Sequence, residues 1–90
     1  MHNVYIIQSL QDGSYYKGYS SDPLLRLLRH NNGESLYTST KMPWQLVYVE
    51  RMASKREALI RERNLKKITH ERVLALIASD KNILKELMKG

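Results

Sequence analysis

The sequence predicts a small α+β domain in which a three-stranded, largely antiparallel sheet is flanked by helices in the order ββαβααα. Two runs rich in β-branched and aromatic residues, Val4 to Ser9 and Ser14 to Tyr19, flank Gln11-Asp12-Gly13, and Asp-Gly between strand-like runs marks a β-hairpin. A third such run, Trp44 to Glu50, supplies the remaining strand. The other apolar residues recur at helical spacing. Because a tight turn joins the first two strands, a doubly wound parallel sheet, which needs crossover connections, is excluded. At 90 residues the chain suits one unit, so 1–90 is read as a single domain.

Between the hairpin and the third strand, Ser21-Asp22-Pro23 offers a helix N-cap with proline in the first turn, and Leu24, Leu25, Leu27 and Leu28 form a stripe running to about His30. Asn31-Asn32-Gly33 ends that helix, and a polar loop is expected through Met42-Pro43. Ser54-Lys55-Arg56-Glu57 has the form of a capping box, in which side chains satisfy orphan backbone N–H groups, so a second helix is expected from about Lys55 to Lys67. Thr69 and Asp80 are expected to cap two short helices within 70–89, carrying Val73, Leu74, Leu76, Ile77 and then Ile83, Leu84, Leu87, Met88.

The proportions of hydrophobic (42%) and charged (27%) residues argue against a disordered chain. The longest apolar run, Val73 to Ala78, is far below the roughly 20 residues of a membrane span, and Met1-His2-Asn3 does not lead into a signal core, so neither feature is expected. With no cysteine, thiol nucleophiles, iron–sulfur clusters and cysteine zinc sites are excluded, and a cytoplasmic location is favoured. Fifteen Lys and Arg against nine Asp and Glu give +6 and make a phosphate-rich partner, nucleic acid, the first candidate. A basic surface that only maintains solubility explains the same charge.

Three features look placed for chemistry. On the second helix, advancing by about 100° per residue puts Glu62 near 40° from Ala58, between Leu65 and Leu59 on the apolar stripe. A carboxylate aimed at a core must be paired, protonated or bound to a cation. An internal ion pair with an arginine accounts for it equally well. On the first helix Arg26 and His30 are stacked four residues apart with Arg29 beside them, able to grip a phosphate or to form a plain solvent face opposite the leucines. Third, Tyr5, Tyr15, Tyr16 and Tyr19 all lie in the hairpin, where a cross-strand pair of phenols suits base stacking, proton transfer or the edge of the core.

Taken in order, Val4-Tyr5-Ile6, Tyr16-Lys17-Gly18, Arg26-Leu27, His30-Asn31, Pro43-Trp44-Gln45-Leu46-Val47-Tyr48 and Glu57-Ala58-Leu59 through Glu62 to Lys66-Lys67 resemble the GIY-YIG nuclease superfamily, over about residues 3–70. The likeness is to its small stand-alone members. Val4 and Ile6 in the first triplet, and Lys17 in the second, depart from the usual pattern. The resemblance implies a metal-dependent endonuclease that hydrolyses phosphodiester bonds, of DNA rather than RNA, with branched, damaged or single-stranded DNA and a role in DNA repair as candidates. It implies that Tyr5, Tyr16, Arg26, His30 and Glu62 form the site. Glu62 then holds a single Mg²⁺ or Mn²⁺, Arg26 neutralises the phosphate, Tyr16 positions water or phosphate, and Tyr5 or His30 takes the proton. Lys17, Arg29, Lys41 and Lys66 are expected to meet nucleic acid. The alternative is a nucleic-acid-binding module that keeps the fold and cuts little or nothing without a partner.

Overall fold

The structure, a computed structural model, describes residues 1–89. Gly90, the last residue of the predicted domain, lies outside the described residues. Strands β1 (His2–Ser9), β2 (Tyr15–Ser20) and β3 (Trp44–Met52) form an antiparallel sheet in the order β2-β1-β3. Helices α1 (Pro23–Asn31), α2 (Leu36–Ser39), α3 (Lys55–Leu65), α4 (His70–Ile77) and α5 (Leu84–Lys89) complete the chain. The sheet, its topology and the four predicted helices agree with expectation. The one-turn α2 falls inside the expected polar loop, where its four residues show no amphipathic period.

β1 is the central strand, and Val4, Tyr5, Ile6 and Ile7 are all buried because helices cover both faces. One face gathers Tyr5, Ile7, Trp44 and Val49 against Leu27 of α1 and Leu84 and Leu87 of α5. The other packs Val4 on Ala58 and Leu65 of α3, and Ile6 and Tyr48 on Val73 of α4. Each fully buried aliphatic side chain contributes about 1.5–3 kcal/mol, so this strand organises the fold.

Register and caps position the site. Tyr5 pairs with Gly18 and Ile7 with Tyr16, so the two tyrosines share a face and are diagonal neighbours. Gly13, at φ +78, supplies the left-handed turn, and Asp12 Oδ1 accepts from Ser14 N at 2.9 Å and Ser14 Oγ at 2.7 Å. Those bonds, with the Lys41 ammonium at 3.4 Å, lower the Asp12 pKa to about 2. Asp22, Ser54 and Thr69 cap α1, α3 and α4 through their side chains. Asp80 is not the cap of α5. Asn82 takes that place, its Oδ1 accepting from Leu84 N and Val49 N while its Nδ2 donates to Val47 and Ile77 carbonyls, which ties the chain end to β3.

Candidate active site

Helix α1 is rotated relative to the leucine stripe. Its inward positions are Pro23, Leu27 and His30, at i, i+4 and i+7, whereas Leu24, Leu25 and Leu28 are exposed. The solvent-face reading of His30 is therefore overturned, for it is 4% exposed. The reason is chemical: this sheet face offers phenols and a hydroxyl, which satisfy an imidazole better than leucine methyls. His30 Nε2 lies 2.9 Å from the Tyr5 hydroxyl and Nδ1 lies 2.8 Å from Thr38 Oγ1. Asn31 fixes the end of the helix by donating from Nδ2 to the Trp44 carbonyl at 2.9 Å and accepting from Trp44 N at 2.6 Å.

Tyr5 reaches this contact because Gly18 has no side chain. A Cβ there would stand 2.5 Å from both Cζ and the hydroxyl oxygen of Tyr5, so the phenol crosses the strand over the glycine. Burial raises the Tyr5 pKa to about 12, the nearby Arg26 guanidinium pulls it down, and Tyr16 and the Glu62 carboxylate push it up. Tyr16 packs edge-on to His30, with ring centroids 5.2 Å apart, and lies 5.6 Å from the exposed ring of Tyr37. Tyr16, Arg26, Arg29 and His30 line one pocket of about 310 Å³. Tyr15, Tyr16, Lys17, Tyr37 and Lys66 line a neighbouring groove of about 500 Å³.

Glu62 flanks the buried edge of α3, with its side chain 20% exposed and 3.6 Å from Lys66 Nζ. The predicted ion pair with an arginine belongs to a different carboxylate: Glu50 holds Arg61 Nε at 3.0 Å and accepts from the Tyr48 hydroxyl at 2.7 Å. Leu59, expected on the apolar stripe, is 40% exposed, so the buried strip of α3 is as narrow as Ala58 and Leu65. Although α3 packs on the opposite sheet face from α1, the Glu62 charge is felt at the Tyr5 hydroxyl. Among the predicted site residues, Tyr5, Tyr16, Arg26 and His30 are brought together directly, while Glu62 stands on α3, across the sheet from α1, and pairs with Lys66. Lys17, Arg29 and Lys66 line the adjoining concavities. Lys41 is held at the hairpin by Asp12 and Ser14.

Sequence reasoning missed two groups. Thr38, fully buried, has no signal in a polar loop other than its closeness in sequence to His30. Lys55, Arg56 and Arg63 are exposed on α3 and lie, on the helical wheel, on the outward side of Glu62, with Lys67 exposed just beyond the helix end. That stripe was legible from the angular positions alone.

Desolvation and the Arg26 charge lower the His30 pKa from 6.5. The folded state therefore resists protonation that the unfolded chain accepts. The associated stability is fully present above pH 6.5 and is lost as pH falls below it towards the folded pKa. Urea midpoints at pH 7.5 and 5.5 are expected to show a loss in the wild type that is smaller in His30→Gln. An equal loss in both proteins would remove His30 as its source.

A model of the GIY-YIG catalytic domain matches residues 1–73. A UPF0213 protein of Staphylococcus saprophyticus is 42% identical over 78 residues, 86% of this chain and 94% of that protein. A UPF0213 protein of Staphylococcus aureus is 43% identical over 77 residues, 84% of this chain and 93% of that protein. The solution NMR structure of a UPF0213 protein from Bacillus halodurans matches with a TM-score of 0.55 at 28% identity, covering 99% of this chain and 96% of that one.

Proposed function

The chain belongs to the GIY-YIG nuclease family, among its small UPF0213 members, and from that premise we propose that it is an endonuclease hydrolysing DNA phosphodiester bonds with one divalent cation, Mg²⁺ or Mn²⁺. The observation that carries this reading is the convergence of Arg26, Tyr16 and His30 on one pocket, with the buried Tyr5 hydroxyl 2.9 Å from His30 Nε2.

The donor chemistry fits a hard cation. Glu62 offers carboxylate oxygen as a lone protein ligand, since no cluster of three or more His, Asp or Glu forms among the described residues. One carboxylate, completed by water and substrate phosphate, suits Mg²⁺. When bound, such a cation neutralises phosphate charge and makes water more acidic. The residues supply the rest. Arg26 offers forked donors to the non-bridging oxygens, where charge develops during attack. Tyr16 is the phenol open to the pocket and orients the water. Tyr5, at about 12, keeps its proton at neutral pH and acts as a hydrogen-bonding group rather than a standing base. His30, with a lowered pKa, is neutral there.

Recognition rests on phosphates and shape, because so small a chain offers little area for reading base edges. Branched, damaged and single-stranded DNA, as met in repair, are the substrates to try. Log affinity for duplex DNA is expected to fall linearly with log salt, at about −0.9 per phosphate contacted. Arg29→Ser is expected to make that slope shallower by about one contact, with no change in sequence preference. Binding that ignores salt would return the +6 charge to solubility.

A further inference from the structure

The groove beside the pocket is lined by three phenols and two ammonium groups, those of Tyr15, Tyr16, Tyr37, Lys17 and Lys66, and holds about 500 Å³. Tyr15 and Tyr16 point to opposite faces of β2, the outer strand of the sheet, so the groove spans the sheet edge. Tyr16 is also a wall of the pocket that holds Arg26 and His30. Two of the phenols are packed against rings of the fold: Tyr15 lies 4.8 Å from His70 between centroids, and Tyr16 lies 5.2 Å from His30. Tyr37 is different. Among the described residues its ring neighbour is Tyr16, 5.6 Å away and inclined by 39°, and the residue is 68% exposed.

A single exposed tyrosine needs no explanation. This one, however, stands on a fixed base and shares its groove with two cations. The turn of α2 that carries it is tied down at the next residue, where Thr38 Oγ1 lies 2.8 Å from His30 Nδ1 and the Thr38 carbonyl accepts from Trp44 Nε1 at 2.9 Å. The ring is therefore presented with its backbone already ordered, which lowers the cost of binding to it. Lys66 stands 3.6 Å from Glu62, while Lys17 has no carboxylate partner among the described residues. Desolvation lowers the Lys17 pKa, and a phosphate beside the ammonium would offset that burial. Aromatic surface flanked by cations is the chemistry that takes nucleobases by stacking and their phosphates by charge. A base inside a duplex has both faces covered by its neighbours, so only an unpaired or extruded nucleotide can offer one to Tyr37.

We infer that Tyr37 is a specificity-determining residue that stacks on an unpaired nucleobase of the DNA, with Lys17 and Lys66 on the flanking phosphates, and so favours unpaired DNA over intact duplex. Every base has an aromatic face, so the contact reads pairing and not sequence. Because Tyr16 is common to groove and pocket, the stacked nucleotide adjoins the phosphate that Arg26 holds. That placement beside the cut rests on the nuclease reading; the stacking contact does not.

The test is binding at fixed salt in chelator, read by fluorescence anisotropy. Three labelled DNAs of equal length are compared: a single strand, a blunt duplex, and an abasic strand that keeps the phosphates without the bases. Wild type is expected to bind the single strand at least about tenfold more tightly than the abasic strand. Tyr37→Ala is expected to lose about tenfold on the single strand and to bind the duplex and the abasic strand as wild type does, whereas Tyr37→Phe, which keeps the ring, retains wild-type affinity for all three. A Tyr37→Ala protein that binds the single strand as tightly as wild type would overturn the inference, and so would an equal loss on single strand and duplex. A wild type that does not distinguish the single strand from the abasic one, or binds neither, would overturn it whether or not any variant folds. A wild type that shows the Tyr37-dependent binding and cuts nothing with Mg²⁺ or Mn²⁺ would count against the nuclease reading and leave the stacking contact standing.

Discussion

Glu62→Gln is expected to reduce single-turnover cleavage by at least about 10³-fold while leaving nucleic-acid affinity unchanged or raised. The rate effect follows from chemistry. The amide keeps the size of the side chain but removes the anionic oxygen on which a divalent cation depends, and losing about 4 kcal/mol of charge stabilisation corresponds to that factor. The affinity effect has the opposite sign because Glu62 places negative charge where phosphate must sit. Its removal also frees the Lys66 ammonium, now 3.6 Å from the carboxylate, to face the phosphates. Titration of labelled DNA at fixed salt, run beside the cleavage assay, separates the two effects. A variant that binds tenfold more weakly would place Glu62 in the architecture of the interface rather than in the chemistry.

Gly18→Ala is expected to destabilise the chain strongly, since its added methyl group has no room. The new Cβ would lie 2.5 Å from the Tyr5 hydroxyl oxygen and ring Cζ, and 2.8 Å from Cε2. Tyr5 is 1% exposed and cannot swing away without displacing its neighbours and stretching its bond to His30. Overpacking of this kind costs about 1–3 kcal/mol, and a lost hydrogen bond adds about 1 kcal/mol, so the melting temperature should fall by roughly 10–30 °C. Cleavage should fall with it even below the transition, because the Tyr5 hydroxyl is displaced within the folded state. Gly13→Ala, strained at φ +78 but far from Tyr5, is the control: it should lose stability and keep the rate of the folded fraction.

The sheet was legible because strand chemistry and turn chemistry are local. Asp12-Gly13 marks a hairpin, and the continuous burial of Val4 to Ile7 is what a central strand covered on both faces produces. The caps Ser54 and Thr69 were equally local. What eluded the pattern were the facings that tertiary partners decide. Four leucines on α1 outvote one histidine in any count of apolar residues. Yet His30 goes inside because Tyr5 and Thr38, 25 residues before it and 8 after it, satisfy both ring nitrogens. Likewise the choice between Asp80 and Asn82 as a cap depended on β3, whose Val47 carbonyl and Val49 N–H only Asn can serve at once as donor and acceptor. Glu62 was conspicuous as a charge on an apolar stripe, and its partner Lys66 stands at i+4, the spacing at which helix side chains meet, whereas Arg61 points away to Glu50.

The central claim is that Glu62 and the pocket beside Tyr5 cut DNA. Its most direct test is single-turnover cleavage by the wild type and Glu62→Gln on a panel of branched, single-stranded, duplex and damaged DNA, with RNA alongside, in Mg²⁺, Mn²⁺ or chelator. The wild type is expected to cut at least one DNA substrate with Mg²⁺ or Mn²⁺, and chelation or Glu62→Gln to remove the activity. Cleavage by Glu62→Gln at the wild-type rate would contradict that claim, as would a wild type that binds the panel and cuts nothing with either metal, which is the behaviour of a nucleic-acid-binding module.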